Sequence, residues 1–161
     1  MSRSKNVLVV GTGTIGEPLI GLMAAFKEEL GIDEVLFHKR TPLLTDRSKV
    51  KDLVRRGARF VADAERHEDF RAIGMEPQHR TEDALADARV VIDCTPAGNR
   101  NKEEMYKDRV DDTDLFVAQG SEFGFGKMYA RGINDSAPVS YTHLRAHETV
   151  LDLVCRLLLE K

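Results

Sequence analysis

Hydrophobic residues in the first forty positions switch from a short continuous run to a helical spacing and back. The run Asn6–Val10 is mostly aliphatic and ends at Gly11, which predicts a strand buried on both faces of a parallel sheet. Over residues 14–30 the apolar positions recur every three or four residues, which predicts an amphipathic helix. A second short strand is predicted at residues 35–37. This order of strand, helix and strand indicates a βαβ unit.

The more polar remainder continues the same alternation. Thr81 is expected to cap a helix, because Glu82 and Asp83 follow it in the first turn, where the helix dipole favours negative charge. The other predicted elements are helices over residues 48–56, 65–73 and 102–109 and strands over residues 59–62, 89–93 and 115–118. Strands that alternate with helices predict an α/β fold of the Rossmann type, with a doubly wound, mainly parallel sheet.

Composition and charge exclude several classes of protein. The 161 residues carry 27 acidic and 24 basic side chains, a net charge of −3, which is typical of a single globular domain. Since there is no block of Lys or Arg, neither nucleic acid nor a membrane surface is expected as a partner. There is no long apolar run and no secretory leader, so a cytoplasmic location is expected. Cys94 and Cys155 are too few for a disulfide framework and are expected to be reduced.

The clearest chemical motif is a glycine turn of the form GxGxxG between the first strand and the first helix. In that setting Gly11 allows the tight turn, Gly13 lets the backbone touch a pyrophosphate, and Gly16 lets helix and strand pack closely. The free amides that begin the helix would then face the diphosphate. The residues of this predicted cofactor-binding turn are Gly11, Thr12, Gly13, Thr14, Ile15 and Gly16.

The end of the second strand bears on which dinucleotide binds. NAD-binding units place an acid there for the ribose 2′-hydroxyl, whereas this strand leads into Lys39, Arg40 and Thr41. Two cations and a hydroxyl suit a 2′-phosphate, so NADP is expected to bind better than NAD. NAD is kept as the second candidate cofactor. The alternative is that Lys39 and Arg40 are only solvated loop charges.

Two further turns are expected at the same edge of the sheet. Thr95 and Pro96 follow a buried strand, and Gln119 and Gly120 follow the next one, so all four are predicted to contact the cofactor. Cys94 has no obvious partner base and is interpreted as a small buried side chain, so we predict no catalytic residue in this chain. No metal site is expected either, because the histidines form no ligand cluster.

Together these segments resemble the archaeal-type (type II) phosphorylating glyceraldehyde-3-phosphate dehydrogenases. The resemblance covers about residues 5–137, and its more specific parts are Asp-x-Thr-Pro-x-Gly at residues 93–98 and Gln-Gly-x-Glu at residues 119–122. It also includes the glycine turn, residues 39–42, and Asn101, Lys102, Met105 and Tyr106.

The resemblance implies an oxidoreductase of glycolysis that uses NAD or NADP. Such enzymes oxidise a triose phosphate through a thiohemiacetal on a cysteine, inorganic phosphate releases the product, and the family is homo-oligomeric. By position, Thr14 and Ile15 would contact the diphosphate, residues 39–41 the 2′ position, and Gly120 the nicotinamide side.

The chain departs from this family after residue 137. The family's Ser-Cys-Asn-Thr string, which holds the catalytic cysteine, does not occur in the sequence. We also expect the family's second, catalytic domain to be absent. We therefore expect a truncated dehydrogenase that retains dinucleotide binding and is inactive by itself. The alternatives are a non-catalytic NADP-binding or sensing module and another NAD(P)-dependent reductase on the same fold.

Residues 138–161 differ in character from residues 1–137, the predicted NAD(P)-binding domain. All 12 glycines lie at or before Gly132, and the final segment resembles translated sequencing-adapter read-through, so it is expected to be a non-native tail. The alternative is a native C-terminal helix with one apolar face formed by Leu151, Val154, Leu157 and Leu158. His143 and His147 are four residues apart, but two ligands are too few to predict a metal site.

Overall fold

A single parallel sheet organises the molecule. The computed structural model describes residues 4–119, 124–129 and 141–144. In this part of the chain the sheet has the order β4-β3-β2-β1-β5-β6-β8-β7, and every neighbouring pair is parallel. The strands are β1 (Asn6–Val10), β2 (Val35–His38), β3 (Arg59–Ala62), β4 (His79–Arg80), β5 (Ala88–Asp93), β6 (Leu115–Gln119), β7 (Lys127–Tyr129) and β8 (Tyr141–Leu144).

Helices connect the first six strands. They are α1 (Gly16–Ala25), α2 (Arg47–Arg55), α3 (His67–Ala72), α4 (Thr81–Asp87) and α5 (Gly98–Asn101). Short 3-10 turns at Leu44–Asp46 and Ala64–Arg66 lead into α2 and α3. After α5 the chain continues as a π-helical turn over Lys102–Tyr106. Among the described residues, no helix is long and apolar enough to cross a membrane.

Both faces of the sheet are covered, as a doubly wound fold requires. Successive side chains of a strand point to opposite faces, so Val7 and Val9 join one core while Leu8 and Val10 join the other. The first core packs under α1, α2 and α3, and the second packs against α4 and the π-helical turn. The predicted Rossmann-type α/β fold is therefore confirmed.

The strand order reverses at β1. The chain adds β2 on one side of β1 and later places β5 on the other, so the carboxyl ends of these three strands border a crevice. Open α/β sheets bind their ligands at such a switch point. The fold thus fixes where a site is expected before any side chain is considered.

One strand comes from the segment predicted to be a tail. Tyr141–Leu144 pairs with β6, with Phe116 opposite Tyr141 and Gln119 opposite Leu144. The remainder of that segment, with the residues of its predicted helical face, lies outside the described residues.

Several local predictions were wrong. The first helix begins at Gly16 and ends at Ala25, and residues 26–31 form turns that Gly31 closes with a φ of 65°. Thr81 is not a cap: it begins α4, and its hydroxyl donates instead to Asp63 Oδ1 at 2.6 Å. The helix predicted to begin at residue 102 begins at Gly98, and the two-residue strand β4 was not predicted.

Candidate functional site

A cavity of about 450 Å³ occupies the crevice between the ends of β1, β2 and β5. Its size lies within the range of pockets that hold small molecules and cofactors. Much of its wall consists of residues that the sequence predicted to bind cofactor: Gly11, Thr12, Gly13, Lys39, Arg40, Thr41, Thr95 and Pro96. Three segments that are distant in the sequence therefore meet around one space.

Two glycines make the turn between β1 and α1 possible. Gly11 has a φ of +99°, and a Cβ there would lie 2.8 Å from Thr95 Cγ2. A Cβ on Gly16 would lie 2.0 Å from the carbonyl oxygen of Gly11. A side chain at either position would push the turn away from the strand ends. The two glycines therefore allow the turn to pack directly against the end of β5.

Gly13 differs from its neighbours because a Cβ placed there would meet no protein atom within 4 Å. Protein packing therefore does not explain a glycine here, whereas the close approach of a ligand would. Within the described part of the chain, no hydrogen bond has a backbone amide of Gly13, Thr14 or Ile15 as its donor. Such free amides at the start of a helix suit an anion. Thr14 and Ile15 are exposed beside the cavity rather than in its wall.

The two basic residues after β2 have different surroundings. Lys39 is only 9% exposed, and its Nζ donates to Asp46 Oδ2 at 2.5 Å. This hydrogen bond from Lys39 holds the pKa of Asp46 below its ordinary value. Lys49 lies 3.7 Å from the same carboxylate and also donates to the carbonyl oxygen of Thr12 at 3.3 Å. Asp46 thus offsets much of the positive charge on this side, while Arg40 stays exposed.

A fully buried carboxylate, Asp93, lies beneath the wall formed by β5. It accepts hydrogen bonds from the Thr95 amide at 2.8 Å and from the Thr95 hydroxyl at 2.6 Å. The Asn101 amide donates to it at 2.8 Å and the Tyr106 hydroxyl at 2.6 Å. Burial, together with the nearby charge of Asp93, raises the pKa of Tyr106 well above its ordinary value. Four donors therefore satisfy this charge and hold the turn after β5.

Cys94 stands next to this carboxylate and lines the cavity. Burial raises the pKa of its thiol to about 12, and the negative charge of Asp93 adds to the effect. A thiol with such a pKa is protonated near neutral pH and is a poor nucleophile. This chemistry agrees with the interpretation of Cys94 as a packing residue.

Of the remaining sequence candidates that the structure describes, one histidine lines the cavity and the others do not. Gln119 ends β6 and is not among the lining residues, and Gly120 lies outside the described residues. His67 bonds to the carbonyl oxygen of Ala62. His38 lines the cavity, but its Nε2 is 3.2 Å from Asp63 Oδ1.

Sequence reasoning missed three residues at the site. Asp46 and Lys49 lie on the 3-10 turn and helix after β2, three positions apart, a spacing that signals an ion pair but not a cavity wall. Asn101 lines the cavity from α5; it is one of the residues that carry the family resemblance, but it was not predicted to bind cofactor.

A second cavity of about 480 Å³ also has Arg40 in its wall. It is bordered by the residues after β3, by the start of α4 and by the turns after α5. Its charged lining residues are Arg40, Asp63, Glu65, Arg80, Glu82, Glu104, Asp108 and Arg109. Arg40 is shared with the first cavity.

Comparison with known proteins adds no family assignment. No family model matches the chain, and no curated protein matches it. The class that fold and site define is an α/β domain of the Rossmann type with a cavity at its topological switch point.

Proposed function

We propose that this chain binds a dinucleotide cofactor in the cavity between β1, β2 and β5, and prefers NADP to NAD. The observation that carries the proposal is the convergence of the glycine turn, the basic end of β2 and the turn after β5 around one space. Gly13 leaves room for a pyrophosphate, and the free amides at the start of α1 would donate to it. The bound nicotinamide would supply hydride-transfer chemistry.

The preference for NADP is assigned to Arg40. Lys39 and Lys49 both lie within 4 Å of Asp46, so their charge is partly neutralised. Arg40 is exposed at the edge of the cavity, and a guanidinium suits a phosphate better than a ribose hydroxyl. Thr41 adds a hydroxyl in the same wall.

We further propose that the domain belongs to an NAD(P)-dependent aldehyde oxidoreductase of the glyceraldehyde-3-phosphate dehydrogenase type. The proposal is supported by the family resemblance of residues 5–137. The more specific motif at residues 93–98 includes residues that line the cavity. Cys94 is not assigned as the nucleophile, since its thiol has a raised pKa of about 12. The chain by itself is therefore expected to bind cofactor without oxidising the triose phosphate.

Calorimetric titration of the full chain with NADP and NAD tests the proposal. We expect both to bind at one site, with NADP tighter by at least about tenfold, since a hydrogen bond to a charged group contributes roughly 1.5–3 kcal/mol. Equal or tighter binding of NAD would overturn the preference, and absence of binding by either would overturn the function. Measurable reduction of NADP on adding triose phosphate and inorganic phosphate would contradict the assignment of this chain as non-catalytic.

Replacing Gly13 by Ala tests the role of the open glycine. The substitution meets no protein atom, so the melting temperature should stay within about 2 °C, an effect below ~0.5 kcal/mol. Affinity for NADP and NAD should fall together by about tenfold or more, because both carry the pyrophosphate that approaches this backbone. Unchanged affinity for both would contradict the proposed position of the pyrophosphate.

Gly57→Ala is the matched control for that experiment. Gly57 also has open space around a Cβ but has a φ of +100° and does not line either described cavity. It should lose about 1–2 kcal/mol of stability through backbone strain and keep its affinity for both dinucleotides. The two variants thus separate an effect on folding from an effect on binding.

A further inference from the structure

Asn101 connects the buried carboxylate of β5 to the surface of the cavity. Its side chain is buried, with the residue only 2% exposed. The Nδ2 atom donates to Asp93 Oδ2 at 2.8 Å and to Thr95 Oγ1 at 3.0 Å. The Thr95 hydroxyl donates its hydrogen bond to Asp93 Oδ1, so it can only accept a hydrogen bond from Asn101. Because the carboxylate also only accepts, the amide of Asn101 has one orientation, with Oδ1 directed away from Asp93.

The outward oxygen of Asn101 receives a hydrogen bond from Arg40. The distance from Arg40 Nη2 to Asn101 Oδ1 is 3.1 Å, and the two residues are 61 positions apart, on opposite sides of the crevice. A weaker contact joins the same Nη2 atom to Met105 Sδ at 3.8 Å. Both contacts with described residues use Nη2, so on this part of the chain the Nε and Nη1 donors of the guanidinium remain for a ligand.

An arginine side chain that is already restricted to one conformation binds an anion more tightly than one that rotates freely. Arg40 is exposed, and a free arginine loses much rotamer freedom when it binds a ligand. The bond to Asn101 restricts the side chain before the ligand arrives. Lys39 does not substitute for it, because its ammonium group is bound to Asp46.

We propose that Asn101 is a positioning residue that holds Arg40 for the 2′-phosphate and thereby sets the preference for NADP over NAD. The inference rests on the proposed dinucleotide function and deepens it. Asn101 does not itself contact the phosphate in this arrangement. It acts through Arg40, and its own orientation is fixed by Asp93 and Thr95.

The test is the ratio of NAD to NADP dissociation constants, measured by titration on the full chain for Asn101→Ala. We expect this ratio to fall by about fivefold, the ordering cost of one long side chain, while the affinity for NAD changes little. In an Arg40→Gln background, Asn101→Ala should leave the ratio unchanged, since the side chain that Asn101 positions is then missing. Asn101→Ser, whose hydroxyl is too short to reach Arg40, is the second variant and should give the same result.

Tyr106→Phe is the matched control within the hydrogen-bond network. It removes one donor to Asp93 without touching Arg40, so any loss of affinity should be equal for NAD and NADP. A purely structural role for Asn101 would give this same equal loss, or an effect that persists in the Arg40→Gln background, and either result would overturn the proposal. An unchanged ratio of the NAD and NADP dissociation constants in Asn101→Ala would also overturn it. Binding of neither dinucleotide by the unmodified chain would instead remove the proposed function on which the inference rests.

Discussion

At the scale of single residues, the site combines attraction for an anion with an opposing charge. Asp46 lies in the wall of the cavity and bonds to Lys39, and Lys49 also approaches it from α2. The carboxylate therefore weakens the positive field that the two lysines would otherwise direct at a bound phosphate. The same contact restrains the ammonium group of Lys39.

Replacing Asp46 by Asn is expected to tighten NADP binding by about three- to tenfold and to leave NAD binding nearly unchanged. Removal of one negative charge close to the 2′-phosphate strengthens attraction by roughly 1 kcal/mol at low salt. Asp46 makes no capping hydrogen bond to α2, so the helix does not lose a cap. Titration at two salt concentrations measures the effect, which should shrink as ionic strength rises.

Asp69→Asn is the control for this charge change. Asp69 pairs with Arg66 on the exposed side of α3 and lines neither described cavity. It should alter neither affinity. An equal gain in NADP affinity in both variants would show that only net charge matters, and would contradict a local role for Asp46.

At the scale of elements, a carboxylate after β3 connects the ends of three segments. Asp63 Oδ1 accepts a hydrogen bond from the Thr81 hydroxyl at the start of α4 and lies 3.2 Å from His38 Nε2 at the end of β2. The hydrogen bond with His38 is the main cause of a pKa for Asp63 lowered from 3.8 to about 2. Side-chain hydrogen bonds, in addition to those of the sheet, thereby connect the ends of β2 and β3 with the start of α4.

Asp63→Asn should be less stable than the unmodified chain by about 1–2 kcal/mol at neutral pH, the scale of a lost charge-assisted hydrogen bond. Because the folded-state pKa lies below the ordinary value, the contribution of the carboxylate is complete above about pH 4 and is lost as the pH falls through about 2. Urea unfolding at several pH values should show the difference narrowing over that range. A difference independent of pH would contradict the assigned ionisation.

Most elements up to β6 were predictable, because their strands are continuous apolar runs and the longer helices have an apolar stripe, whereas β4, β7 and β8 were not predicted. β1, β3 and β5 agree with their predicted ranges to within one residue. The end of α1 was not predictable, since apolar spacing continues to Leu30 while the helix ends at Ala25. The site was partly predictable: strand ends are recognisable in a sequence, whereas the contact between Arg40 and Asn101 joins positions 61 residues apart and has no local signal.

At the scale of the whole molecule, the described residues that line the candidate site all lie between positions 10 and 101, although the sheet extends further. β8 covers the edge of β6, and neither strand contributes to the lining. We therefore expect the proposed dinucleotide binding to be separable from the extent of the sheet.

Deleting residues 139–161 is expected to keep dinucleotide affinity within about twofold, since none of the described lining residues is removed. The melting temperature should fall, because the deletion leaves the polar backbone of β6 without its neighbour. Titration and thermal unfolding of the shortened chain measure the two properties. A loss of NADP binding in a chain that still unfolds cooperatively would contradict the separation and favour a native role for the segment.

Arg40 borders both cavities, and this has a consequence for any molecule that enters the second one. Thermodynamic linkage is reciprocal, so under the proposed function a ligand that drew the guanidinium toward the second cavity would lower the affinity for NADP in the first, and NADP would lower affinity in the second by the same factor. A competition experiment would therefore register an antagonist that never overlaps the dinucleotide. One shared side chain would be sufficient to couple binding in the two cavities.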